Sequence, residues 1–162
     1  MKRSVRAIVL LVVVGVAAAV LAAAASAKGP GVVTIHLVEK DKTFHFVDNP
    51  PLGGENQPPS QGDQFVFTSE LLTRSGKHAG MLRATCTVTS GGRDGAITCF
   101  GTYGLKGGQL AAITTIVGEA KADRIAIVGG TGVYAGARGE VISVSRGDNS
   151  PFSDATIRLL RS

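Results

Sequence analysis

From Gln64 to the C-terminus the chain is a succession of short β-rich runs, each closed by a turn signal. The runs cover residues 64–73, 80–90, 95–105, 109–118, 124–129, 139–146 and 153–161. The breaks fall at 75–77, 91–94, 106–108, 121–123, 130–137 and 147–151. Parallel neighbours need a crossover of a dozen residues or more, and none of these breaks is that long, so the strands must be mostly antiparallel. Upstream, residues 32–40 alternate as a strand. Residues 43–47 read as its partner or continuation, with Phe44 and Phe46 on one face. Between them and Gln64 lies DNPPLGGENQPPSQGD, residues 48–63, whose four prolines and three glycines predict a long loop. No segment after residue 27 carries a helical period. Eight sequential antiparallel strands close most simply into an up-and-down β-barrel, which removes exposed edges and leaves an interior for side chains or one small ligand. A two-sheet sandwich is the alternative that periodicity alone leaves open.

The charge of the chain needs dividing before it is interpreted. The 162 residues carry a formal net charge of +5. Lys2, Arg3 and Arg6 supply three of those charges ahead of an uncharged apolar run, residues 7–25, that ends in Ala25-Ser26-Ala27. A basic start, an apolar stretch and small residues at a cleavage triplet predict a signal peptide over residues 1–27, cut after Ala27. The alternative is an uncleaved membrane anchor. Residues 28–162 then form one domain, with 14 basic and 12 acidic side chains. That near-neutral balance, with its cations scattered, disfavours a nucleic-acid binder. The mature protein is expected to be secreted and to meet a membrane only through the transient signal peptide.

Export makes a disulfide chemically reasonable. Cys86 and Cys99 are the only cysteines and flank the turn residues 91–94. A four-residue loop there pairs Ser90 with Gly95, and counting outward sets Cys86 opposite Cys99. Directly opposed strand positions bring Cβ atoms close enough for a bridge. A reactive or metal-binding thiol pair is the competing reading, but no further ligands are evident.

The most distinctive stretch is RIAIVGGTGVYAGARGEV, residues 124–141. A strand leading into Gly130-x-Gly132-x-x-Ala135 superficially matches a dinucleotide-binding fingerprint. Gly136 and Gly139 disfavour the helix that fingerprint requires, and too few residues follow for the rest of such a domain. The same residues, Gly129-Gly130-Thr131-Gly132, Tyr134 and Ala137-Arg138-Gly139, resemble the signature of the dirigent and allene oxide cyclase superfamily. Gly62–Phe67 with Leu71-Leu72, and Gly107–Leu110, resemble further family segments, so the likeness runs from about Val32 to Leu160.

The resemblance implies an eight-stranded antiparallel barrel with a central ligand cavity, often dimeric or trimeric. It also implies a small hydrophobic or phenolic ligand whose reaction the barrel guides stereochemically, as dirigent proteins do, rather than redox catalysis. An allene-oxide-cyclase-like isomerase is the enzymatic alternative, and a ligand-free structural or cell-surface interaction protein the third. Glu39 falls near the cyclases' catalytic Glu. By its own neighbours, Lys40 and Lys42, it reads as an exposed strand-end carboxylate. Ser69 stands where the cyclases carry Asn, and Cys86 near a pocket Cys. Phe65, Phe67, Tyr103 and Tyr134 are the candidate ligand contacts, with core packing as the alternative for each. Asp63 is expected to set the turn into the next strand. Arg138 with Glu140 is expected to form a surface pair. His36, His45 and His78 lack metal-ligand spacing, so no metal or cofactor is expected. No G-x-S-x-G nucleophile elbow occurs.

Overall fold

The structure is a computed structural model that describes residues 31–50, 57–91, 95–118 and 122–160. The expected signal peptide, residues 1–27, and its expected cleavage point lie outside the described residues. Eight strands follow one another: β1 Val32–Val47, β2 Gln64–Leu72, β3 His78–Ser90, β4 Ala96–Leu105, β5 Gly108–Val117, β6 Asp123–Gly130, β7 Arg138–Ser145 and β8 Phe152–Leu160. Each pairs antiparallel with the next, and β8 returns to pair with β1, so the sheet is a closed barrel rather than a sandwich. The two runs expected at 32–40 and 43–47 are one strand, β1, carrying a bulge between Asp41 and Thr43. A bulge re-aims the following side chains without ending the strand.

One register expectation is corrected. Cys86 does oppose Cys99, and the two form a disulfide bond. Ser90, however, pairs with Ala96 rather than Gly95, because a bulge between Val88 and Ser90 inserts one residue beyond the bridge.

Alternation sends one set of side chains inward from every strand. One half of the interior is filled by Leu37, Leu71, Leu82, Tyr103, Leu110, Ala112, Ile127, Val141, Ala155 and Ile157. Full burial of each large aliphatic chain contributes about 1.5–3 kcal/mol.

The glycine motif performs a structural task, forming a turn that is held to a neighbouring hairpin. After β6 the chain makes a single 3₁₀ turn, Gly132–Tyr134, and enters β7, so no helix follows. Backbone bonds clasp this turn to the β4–β5 hairpin: Thr131 N–H donates to the Gln109 carbonyl at 2.8 Å and Val133 N–H to that of Gly107 at 3.0 Å. Gly132 holds φ +61°, and a Cβ there would collide with the Gly107 carbonyl, so the turn requires glycine. Tyr134 packs against the core from this turn. The outer pairing of Arg138 with Glu140 is corrected: Glu140 instead bonds Arg124 at 3.1 Å and Arg158 at 3.4 Å. Arg158 sits directly opposite Glu140 on β8, closer than a residue two positions along the same strand.

Candidate functional site

The other half of the barrel holds a cavity of about 200 Å³. It exists because inward positions at this level carry small side chains. Ser69 on β2, Ala84 on β3, Gly101 on β4, Ser143 on β7 and Ser153 on β8 all line it. Phe67, Ile116 and Ile125 add apolar wall, and all eight strands contribute lining residues. Cys99 also lines the cavity, so the disulfide staples the β3–β4 part of its wall.

Glu39 is the central polar group. The expectation of an exposed strand-end carboxylate is corrected, for Glu39 is only 7% exposed. It shares the inward face of β1 with Leu37, whereas Lys42 lies across the surface toward Glu70 and Lys40 stacks over Phe152. Tyr103 donates its hydroxyl to Glu39 Oε1 at 3.1 Å, and Ser143 donates to Oε2 at 2.9 Å. Burial raises the Glu39 pKa above its ordinary value, an effect that these two hydrogen bonds partly offset. The charges of Asp41 and Asp123 add to the rise. Burial and the facing Glu39 carboxylate push the Tyr103 phenol well above its usual range, so it stays a donor. Asp41 accepts from the Ser69 hydroxyl at 3.1 Å, and burial raises the Asp123 pKa.

The aromatic candidates divide. Phe67 and Tyr103 line the cavity, whereas Phe65 and Tyr134 do not. Phe65 lies with Phe44 and Phe46, at ring-centroid distances of 5.7 and 5.2 Å. Phe44 and Phe46 stand opposite Phe67 and Phe65 in register, and both are exposed, so this cluster lies outside the cavity lining. Asp63 anchors the end of the long loop, accepting from the Asn49 backbone N–H at 2.8 Å and that of Ser60 at 2.6 Å. Those bonds hold its pKa below the ordinary value. Sequence reasoning did not single out Asp41, Asp123 or Ser143 for the site. Strand parity carried a signal for each: Asp41 follows Glu39 by two, Asp123 precedes Ile125 by two, and Ser143 follows Val141 by two.

Among the described residues no group of three His, Cys, Asp or Glu side chains is placed to hold a metal ion. No helix among them is long and apolar enough to cross a membrane.

A closed antiparallel barrel with a polar-tipped internal cavity has room for one small ligand. No protein-family model and no curated protein matches the sequence. Solved structures do. A pyocyanin demethylase aligns at 26% identity and TM-score 0.67, over 78% of this chain and 99% of its own. A pterocarpan synthase dirigent protein aligns at 16% identity and TM-score 0.67, over 85% and 88% respectively. A Diels-Alderase from Streptomyces koyangensis aligns at 17% identity and TM-score 0.62, over 88% and 74%. The chain therefore has the barrel fold of the dirigent and allene oxide cyclase-like superfamily.

Proposed function

We propose that this is an exported barrel that binds a small hydrophobic or phenolic molecule in the Glu39 cavity and holds it in one orientation while it reacts. The observation that carries the reading is the Glu39 carboxylate, fixed by Tyr103 and Ser143 against a cavity lined from all eight strands. A fixed polar group in an otherwise apolar pocket orients a ligand and restricts its reactive conformers. The leader residues 1–27 and the Cys86–Cys99 disulfide support export. The barrels it resembles support small-molecule guidance, since their names include a dirigent protein and a Diels-Alderase.

Titration with 4-ethylphenol, followed by amide chemical shifts, tests this reading. Shifts should cluster at Ser69, Gly101 and Thr114, and Ala84→Phe should abolish them by filling the cavity. Absence of shifts at millimolar ligand, or shifts confined to the outer faces, contradicts it.

The raised Glu39 pKa favours a second reading, an isomerase or cyclase in which Glu39 takes a proton from the ligand and returns it elsewhere. Glu39→Gln should then keep binding and lose turnover, and a fully active variant excludes this role.

A further inference from the structure

The cavity carries a charge pattern that a neutral ligand does not explain. Three carboxylates line it, those of Glu39, Asp41 and Asp123, and its lining contains no Lys, Arg or His. The nearby cations are committed elsewhere: Lys42 reaches Glu70, Arg124 reaches Glu140, and Arg146 reaches Asp154. Glu39 is buried, Asp123 half-buried and Asp41 exposed, and a buried structural carboxylate is ordinarily paired with a cation or with several donors. Here Asp41 and Asp123 each repel the charge on Glu39, and among the described residues the hydrogen-bond donors to this group are the hydroxyls of Tyr103, Ser143 and Ser69. Hydroxyls satisfy lone pairs but leave the summed negative charge in place. The donor set is not arranged for a metal ion, whereas about 200 Å³ of space with Phe67, Ile116 and Ile125 on its wall suits an organic skeleton.

We propose that the ligand of this cavity is an organic cation, a protonated or quaternised nitrogen on a small apolar or aromatic framework. The nitrogen sits among Glu39, Asp41 and Asp123 and the framework against Phe67. The proposal rests on the cavity being a ligand site and narrows the chemistry of what enters it. Bound there, the cation supplies the positive charge that the lining lacks, and each carboxylate gains a charge-assisted contact in a partly water-excluded space. Anions are excluded by the same field.

Three probes of similar shape and different charge test it at pH 7.5 by calorimetric titration of the mature protein: 2-phenylethylamine, 2-phenylethanol and 3-phenylpropanoate. The amine, protonated at this pH, should bind at least tenfold more tightly than the alcohol, and the carboxylate should not bind. Asp41→Asn with Asp123→Asn should weaken the amine by about tenfold or more and leave the alcohol within about twofold. This double variant should also melt no lower than the parent, because it removes repulsion rather than a partner. Equal or tighter binding of the alcohol to the parent overturns the cation proposal and leaves the cavity reading intact. Failure of all three probes at millimolar concentration overturns both. Equal loss of amine and alcohol in the double variant also overturns the cation proposal, because it shows a change in cavity shape rather than in charge.

Discussion

Replacing Tyr103 by Phe removes one atom from the centre of the site, and its cost follows from the geometry. Tyr103 is 1% exposed, and its hydroxyl donates to Glu39 Oε1 at 3.1 Å. Phenylalanine keeps the ring and its packing, so the loss is confined to the hydrogen bond. A bond to a charged acceptor contributes about 1.5–3 kcal/mol, and one between neutral partners about 0.5–1.5 kcal/mol. With Glu39 ionised, Tyr103→Phe should therefore cost about 2 kcal/mol. At a urea slope of about 2 kcal/mol per molar, the midpoint falls by about 1 M. The pH dependence has a definite sign. Burial raises the folded-state pKa of Glu39 above its ordinary value, so on acidification the folded protein takes up this proton before the unfolded chain does. As pH falls through that raised pKa, Glu39 becomes neutral and the penalty of Tyr103→Phe should drop to about half. At any pH the penalty should also be about halved in a Glu39→Gln background, where the acceptor is always neutral. Urea melts of the four variants in steps from pH 8 down to pH 4, below the ordinary carboxylate value, measure both effects. A penalty independent of pH and of residue 39 would refute the assignment of Tyr103 as the donor that supports an ionised Glu39.

Three further outcomes are expected. Replacing Cys86 and Cys99 by Ala reopens a loop spanning 13 positions, which costs about 3 kcal/mol by loop entropy and lowers the melting temperature by on the order of 10 °C. Intact mass of the exported protein should show a start at Lys28 and the loss of two hydrogens, and a retained leader or two free thiols contradicts that reading. The resemblance implies a dimer or trimer, and Phe100 and Ile113, partners across β4 and β5, are 54% and 39% exposed and offer an apolar face for it. Light scattering should give a multiple of the chain mass that Phe100→Lys with Ile113→Lys reduces to one chain; a monomeric parent contradicts it.

The strands and the disulfide were legible in the sequence because their determinants are local. Turn residues punctuate the chain, and alternation carries the inward face outward from each turn, which is enough to set Cys86 against Cys99 even though a bulge beyond the bridge moves Ser90 by one. Tertiary pairing decided the rest. Asp123 reads as part of a turn by composition, yet pairing with Ser143 on β7 draws it into β6 and toward the cavity. Glu39 reads as exposed from its lysine neighbours. Charge density along the chain and parity across it gave opposite indications there, and parity with Leu37 decided it. The same physics explains why the glycine motif, the loudest signal in the sequence, lies away from the cavity. Close backbone approach at Gly132 admits only glycine, so the clasp leaves a strong mark on the sequence. A cavity leaves a faint one, since Ser69, Ala84, Gly101, Ser143 and Ser153 are unremarkable residues until eight strands and their bulges bring them to one level. The discriminating sign was polarity on an inward face: a strand that alternates correctly and still points a carboxylate inward departs from core packing where function would require it. Glu39, Asp41 and Asp123 are such departures, on two strands that do not pair with one another, and they converge on one cavity. That convergence, rather than the glycine motif, is the observation on which the proposal of a ligand site rests.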